Sequence, residues 1–542
     1  LQESKNPNYL KGAAILMVAS MFVKFASAAY KIPLFNIIDD VGRGAFQVTY
    51  NVFTLILTIS TAGIPTALSR LIASANAQGD KTLVNRYFSV AMPSFILIGL
   101  FAMLIMFFFA DALAGLMHNP LAAYGIRVLS PAVFFACIIS VYRGYAQGHE
   151  NMTPTAISQF VEVIFKVALG IAVALWLSRL NYPMYIVSAG AIVGVTVGLG
   201  LAVPLLAWHK RKMTRLAAAV EAKSTSVPKA GSIFSQIMKV SVPITLTMAF
   251  LSVNVVISNS IVLGRLQSVL GLSVYEASAQ YGMVALGMTI TNLSYALIVP
   301  ITVSTVPAIA AAIAKNRRDE AGVIMQSSLK IVNLVAMPAA AGIMALAAPL
   351  LLTLFGYDVP VATMSLTILG AASFFVNLQY ITTAILQANG FERSTLITFP
   401  IGILASILAA FVLSVNPDIG VLATPIGMLA CSIVISMLNI AFIVAKVKNR
   451  PKFSKVFIRP LLCSVVMSGA ALGLYTLLYS FASQLFGTGR IAVAFFLVVS
   501  VLTGIAVYGA LVIMTRTITT EDMKLVPKGG KLSKIFRIRT AG

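Results

Sequence analysis

Apolar residues in this chain run in long blocks separated by short polar punctuation. They do not alternate, and they do not keep to one helical face. A membrane-crossing helix needs about 20 such residues. The blocks that qualify are 12–36, 45–73, 87–114, 124–148, 155–178, 183–208, 233–263, 277–314, 328–354, 362–390, 394–416, 419–445, 456–482 and 491–515. Closed barrels are excluded, because their strands alternate over only about 10 residues. The pattern predicts an all-α integral membrane protein with fourteen transmembrane helices. Residues 1–11 are polar and unlike a cleavable leader, so 12–36 reads as the first permanent span.

Composition agrees. Of 542 residues, 59% are hydrophobic and 10% are charged, with a mean hydropathy of +0.94. A soluble domain carries about a quarter charged residues, so lipid must be the solvent for most of this surface. The formal charge of +23 raises nucleic acid as a partner, and the placement of that charge argues against it. Of 39 Lys and Arg, 31 fall on one side of the predicted spans: the N-terminus, the loops around 70–86, 209–239, 315–330 and 446–455, and the tail from Arg516. The other side holds Arg43, Arg127, Arg179, Arg265 and Arg490, and Lys24, Lys31 and Lys166 lie inside helices. Such asymmetry places both termini in the cytoplasm of a bacterial plasma membrane. Anionic membrane lipids are then the expected neighbours of the basic side.

One linker stands out. Residues 209–232 are basic, then Ala-rich, then punctuated by Ser, Pro and Gly, as suits a cytoplasmic connection. The two sides of it echo each other at a period of about 240 residues. STAGIPTALSRLIASANAQGD at 60–80 resembles TVSTVPAIAAAIAKNRRDE at 302–320, and YRGYAQGHENMTPTAISQ at 142–159 parallels TAILQANGFERSTLITFP at 383–400. The expected organisation is an N-lobe at 1–208, the linker, a C-lobe at 233–447, two additional spans at 448–515 and a basic tail at 516–542. Paired six-helix lobes are common in carriers that alternate access around a central site.

A charge inside a membrane costs about 2.5–3.5 kcal/mol on insertion scales. Lys24 and Lys31 are seven residues apart and share a helix face. Lys31 can snorkel to the outer interface. Lys24 lies too deep for that, and reads either as lining a hydrated cationic cavity or as one half of a structural pair. Span five carries Gln159, Glu162 and Lys166. Glu162 and Lys166 have the spacing of a self-compensated helix pair, and equally that of two groups bordering the same cavity. Arg43 and Arg265 sit near outer helix ends, and Arg70 and Arg143 at cytoplasmic ones. Gly63 and Pro65, with Pro300 and Pro307, read as hinges or as static bends. Cys137, Cys431 and Cys463 lie apart in apolar stretches, and His118, His149 and His209 are scattered. No metal site or catalytic cluster is expected.

The stretch Arg143-Gly144-Tyr145, Gln147-Gly148, Asn151-Met152-Thr153-Pro154-Thr155-Ala156, Ser158-Gln159 and Glu162 resembles the signature of the polysaccharide flippases. They are a branch of the multidrug/oligosaccharidyl-lipid/polysaccharide exporter superfamily that includes Gram-positive lipid II flippases and sporulation proteins. Lys24-Phe25, Ser60 to Pro65, Asn292, Val306 to Ile309, Pro338 to Gly342, Leu354-Phe355-Gly356 and Ile385-Leu386-Gln387 fit as well. The resemblance runs over nearly the whole chain. It implies two pseudo-symmetric six-helix lobes around a V-shaped cavity, with 456–515 forming a groove for a lipid tail. It also implies lipid II, an undecaprenyl-pyrophosphate disaccharide-peptide, as the substrate, and no enzymatic activity or cofactor. The transport step then draws on a coupling ion (Na+ or H+) or the membrane potential, and cell-wall synthesis machinery is an expected partner. A pyrophosphate suits cations in a low-dielectric cavity. The site candidates are Lys24, Lys31, Arg43, Lys166, Arg70, Arg143 and Arg265, with Gln159, Glu162 and Asn292 as polar neighbours.

Gram-negative members of the family place arginines in spans two and eight. This chain has no charge between Phe46 and Ser69 or between Ala277 and Ala314, and it carries Ala279-Gln280-Tyr281-Gly282 near the start of span eight. Tyr30 stands near the position of a second span-one arginine. The cationic site is therefore expected to be built differently. Alternative readings are a flippase for another lipid-linked glycan, a sporulation-specific paralogue, and a multidrug antiporter.

Overall fold

The computed structural model describes residues 22–23, 25–217, 228–314, 316–356, 359–447, 449–451, 453–486, 489–515 and 517. Lys24, residues 12–21 of the expected first span, the middle of the linker and the basic tail apart from Thr517 lie outside the described residues. The described residues form helices and no strand. Among the described residues, twelve helical stretches are long and apolar enough to cross a membrane, and they coincide with predicted spans two to seven and nine to fourteen. Span eight falls within a single helix of 41 residues, Val274–Ala314. The chain is a multi-pass helical membrane protein.

By its contacts the chain divides into two compact units, Leu1–Gly282 and Met283–Gly542. The first contains α1 (Lys31–Ile37), α2 (Asp40–Thr61), α3 (Ile64–Ala77), α4 (Lys81–Phe108), α5 (Ala110–Leu116), α6 (Ala123–Gly148), α7 (Thr153–Arg179), α8 (Met184–Ala217), α9 (Ala230–Ser268) and the start of α10 (Val274–Ala314). The boundary between these two contact units falls inside α10. The reason is that α9 lies against α2 and α3: Gly63 N–H donates to Thr245 Oγ1 at 3.1 Å, and Ser252 Oγ donates to Thr58 Oγ1 at 3.3 Å.

Local chemistry sets the helix ends. Asp39 caps α2 by accepting from Gly42 N–H at 2.8 Å, and Asp80 caps α4 by accepting from Leu83 N–H at 2.8 Å. Predicted span two breaks into α2 and α3 at Ala62–Gly63, with Pro65 in the first turn of α3. Gly63 has an ordinary negative φ. It is required for clearance, since a Cβ there would lie 2.2 Å from the Ser241 carbonyl oxygen of α9.

The second unit continues α10 and adds α11 (Arg318–Ala345), α12 (Ala347–Phe355), α13 (Pro360–Ala388), α14 (Glu392–Leu413), α15 (Ala423–Lys446), α16 (Phe453–Phe486) and α17 (Arg490–Met514). Its core uses one stripe of each helix: Leu329, Val332 and Ala336 of α11 meet Leu378, Ile381 and Ile385 of α13, together with Ile443 and Val456. A smaller cluster joins α16 and α17 through Tyr475, Val493 and Phe496 to Leu346 at the start of α12. Arg490 fastens this pair by donating to the carbonyls of Thr353 and Leu354 at 2.9 and 2.6 Å.

The proline positions of the repeat differ in outcome. The helix breaks just before Pro65, while α10 runs helically through Pro300 and Pro307. Two residues before Pro65 the chain has Gly63, whose N–H is taken by Thr245. Two residues before Pro307 it has Thr305, whose hydroxyl donates back to the Ile301 carbonyl at 2.8 Å.

Candidate functional site

Two of the intramembrane lysines meet at one ring. Tyr30 and Lys31 open α1, and α2 presents Phe46, Gln47, Tyr50 and Asn51 on one face by helical spacing. Lys31 Nζ lies 3.3 Å from Gln47 Oε1 and stands over Phe46 and Tyr50, each centroid 5.6 Å away, and over Phe35 at 5.9 Å. Lys166, from α7, stands over Tyr30 at 5.2 Å and Tyr50 at 5.6 Å. Among the described residues no carboxylate lies within ion-pair distance of either ammonium. The Tyr50 hydroxyl is buried and makes no hydrogen bond to a described group.

A polar relay extends from this box. Gln47 Nε2 donates to Asn51 Oδ1 at 3.1 Å, and Asn51 Nδ2 donates to the hydroxyl of fully buried Tyr281 at 2.9 Å. Tyr281 belongs to the segment Ala279-Gln280-Tyr281-Gly282 near the start of α10. Its neighbour Gly282 lets α10 approach closely: a Cβ there would fall 2.0 Å from the Asp40 carbonyl oxygen. Tyr30 adds an anchor by donating to the Ala191 carbonyl at 3.3 Å. The two ammonium groups thus stand in an aromatic surround.

Glu162 is partnered differently from the helix pair that its spacing suggested. Its carboxylate accepts from Arg143 Nη2 of α6, while Arg143 Nε and Nη2 donate to Ser158 Oγ at 3.0 and 2.9 Å. Lys166 turns instead to the rings. Gln147 Nε2 also reaches Thr155 Oγ1 at 3.5 Å. The signature stretch 143–162 therefore contains a clasp across the α6–α7 hairpin, in which Arg143 is held by Glu162 and Ser158.

Arg43 also departs from expectation. It lies inside α2 and is buried. Its guanidinium donates to Asp40 Oδ1 at 2.5 Å and, through Nε at 2.9 Å and through Nη2, to the Phe35 carbonyl. That carbonyl is near the C-terminal end of α1, where an orphan acceptor needs a donor. Arg43 thus ties α1 to α2. Arg70 is exposed on α3, and Arg265 occupies the last turn of α9. Gln159 is half-buried on α7, one turn before Glu162, and Asn292 is exposed on the part of α10 that belongs to the second unit.

Searching for charge alone missed Tyr50, Gln47 and Asn51. Their signal was present: three polar-capable residues at i, i+3 and i+4 within an otherwise apolar span mark one face of a helix.

Residues 9–310 match a family described as polysaccharide biosynthesis protein. The chain is 26% identical to YabM, an uncharacterized membrane protein of Bacillus subtilis (strain 168), over 98% of this chain and 97% of that one. Stage V sporulation protein B of the same organism is 24% identical over 80% of this chain and 83% of its own length. Lipid II flippase MurJ, also from that strain, is 24% identical over 78% and 80%. Among solved structures, the inward closed conformation of lipid II flippase MurJ aligns with a TM-score of 0.64 at 14% identity, covering 94% of this chain and 98% of that one. An inward-facing multidrug resistance MATE family transporter of the MOP superfamily aligns at 0.61 and 17% identity, covering 80% and 98%. The structural likenesses give the fold alone: the all-helical architecture of those proteins.

Proposed function

Because this chain belongs to the polysaccharide biosynthesis protein family, we propose that it is a flippase moving a lipid-linked saccharide precursor across the plasma membrane, with lipid II as its substrate. It is read as a transporter rather than an enzyme, in keeping with the flippases and transporters it resembles. One observation carries the reading: Lys31 and Lys166 share the Tyr50 ring, with no described carboxylate within ion-pair distance. Each buried charge costs about 2.5–3.5 kcal/mol, and each cation–π contact returns about 0.5–2 kcal/mol. The remaining deficit is what a multiply charged anion relieves in a low-dielectric site. A pyrophosphate headgroup has that charge, and the Tyr50 hydroxyl is an additional donor beside it.

The saccharide would cross within the protein while the polyprenyl tail stays in lipid, along α16 and α17. Rocking of 1–208 against 233–447 would supply alternating access, with the Gly63–Pro65 break as one hinge. For the driving force we propose the membrane potential. A charge crossing 100 mV is worth about 2.3 kcal/mol, and an anion moving outward runs down an inside-negative potential. A sodium or proton gradient is the competing source.

A second reading, a flippase for a different lipid-linked glycan or a sporulation-specific paralogue, draws on the equal 24% identity to stage V sporulation protein B and to MurJ. The multidrug-antiporter reading draws on the shared MATE fold, but a cationic aromatic box would repel cationic drugs. The test is complementation of a strain depleted of its lipid II flippase, with outer-leaflet lipid II measured directly. The chain should restore exposure of lipid II, and K31Q/K166Q should fail to do so at unchanged protein level. Undiminished transport by that variant would remove the box from the substrate path. Accumulation of another glycolipid inside, with lipid II still reaching the outer leaflet, would overturn the substrate assignment.

A further inference from the structure

In the second unit, ends of α10, α11, α13 and α15 meet around a cavity of about 240 Å³. Charge placement along the sequence assigns this end to the cytoplasm. Arg318, Lys446, Asn389, Asn449, Phe391 and Ile313 line it, and no carboxylate is among its lining residues. Lys446 Nζ is held 3.3 Å from Ser394 Oγ and stands over the rings of Phe442 and Phe391 at 4.7 and 5.7 Å. Two acids follow Arg318 in the chain, and one of them holds a lining side chain. Asp319 Oδ1 accepts from Asn449 Nδ2 at 2.7 Å, and Glu320 pairs with Arg317 at 3.4 Å. Asn389 Nδ2 donates to the Ile385 carbonyl at 2.8 Å, which fixes the opposite wall.

We propose that this cavity binds a phosphate-bearing anion. An arginine fork and a lysine point charge are the two complementary ways proteins hold phosphate oxygens. Arg318 opens α11, a helix of 28 residues whose first turn also carries Asp319 and Glu320, so the attraction for an anion rests on the Arg318 and Lys446 side chains rather than on the helix end. Phe391 and Ile313 supply an apolar wall for whatever carries the phosphate. The corresponding turn in the sequence repeat, after α6, is arranged differently: Lys210 stands over Phe88 at 4.6 Å and Tyr145 at 5.9 Å, and His149 stacks on Tyr145 with centroids 4.4 Å apart. Two sources offer the same chemistry, an anionic phospholipid headgroup reaching in from the cytoplasmic leaflet and a soluble phosphate monoester. Occupancy would hold the ends of α10, α11, α13 and α15 together, and so tune the mobility of this unit.

The test uses the full chain purified in neutral detergent, with thermal unfolding as the readout. One arm titrates phosphatidylglycerol against phosphatidylcholine in mixed micelles. The other titrates glycerol 3-phosphate at constant ionic strength. A saturable rise in Tm in the first arm identifies a lipid headgroup site, and in the second a soluble ligand site. R318Q/K446Q should weaken the response at least tenfold, while R450Q, which removes a charge nearby without lining the cavity, should retain it. Should the double variant fail to elute as a single species, R318Q alone carries the comparison. No saturable rise in either arm, an equal response in the double variant, or an equal loss in R450Q would overturn the proposal.

Discussion

The clasp between α6 and α7 makes a quantitative prediction that distinguishes tertiary pairing from helix spacing. Arg143 and Glu162 are about four-fifths buried, with side-chain exposures of 18% and 21%. Breaking a fully buried pair costs about 3–5 kcal/mol and an exposed one about 0.2–1 kcal/mol. A partly exposed pair with two additional hydrogen bonds to Ser158 should fall between, so R143Q is expected to cost about 2 kcal/mol. E162Q should cost less, because its amide oxygen can still accept from Arg143. In a double-mutant cycle R143Q/E162Q should recover about 1–2 kcal/mol relative to the sum of the singles. The parallel cycle of E162Q with K166Q should show much smaller coupling, because Lys166 lies over Tyr30 and Tyr50. Reversible unfolding in mixed micelles by denaturing detergent supplies the free energies. Coupling between Glu162 and Lys166 equal to or larger than that between Arg143 and Glu162 would refute the assignment.

Other consequences follow from single contacts. G63A places a Cβ 2.2 Å from the Ser241 carbonyl; it should destabilise by about 1–3 kcal/mol, the range for overpacking, and lower Tm together with transport. N51L strands the Tyr281 hydroxyl and should cost about 1–3 kcal/mol, whereas N51L/Y281F should recover part of that loss in the same unfolding assay. His149, in the turn after α6, has its pKa lowered by burial, with the Tyr145 carbonyl partly opposing the shift. The unfolded chain therefore takes up this proton first, and stability is lost as pH falls through about 6.5. H149N should flatten the Tm profile between neutral and mildly acidic pH, and an unchanged slope would exclude His149 as its source.

Much of the architecture was legible because bilayer thickness writes itself into sequence as run length. Twelve predicted spans reappear as described helices of membrane-crossing length and composition. The break at Gly63–Pro65 was also readable, as a glycine and a proline inside one apolar run. Its physical role was not: Gly63 answers to the carbonyl of Ser241, 178 positions away along the chain and on another helix. The candidate site divides the same way. Lys31 and Lys166 stood out because charge is costly in lipid, whereas Tyr50 carries no charge and drew no attention although both lysines rest on it.

Sequence by itself determined that this chain spans a membrane and that it is helical. Those properties follow from local composition and period, which need no knowledge of distant contacts. Only the tertiary structure decided which charges remain without a carboxylate. Arg43 and Arg143 stood beside Lys31 and Lys166 as candidate cations in the sequence, yet the first two are bound to carboxylates while the last two face rings. Pairing depends on which helix faces meet, and helix spacing reports neighbours on one helix only. The i, i+4 relation of Glu162 and Lys166 was correct as geometry, but the carboxylate took a fork-shaped donor from the adjacent helix, where two hydrogen bonds to Ser158 hold that donor in place.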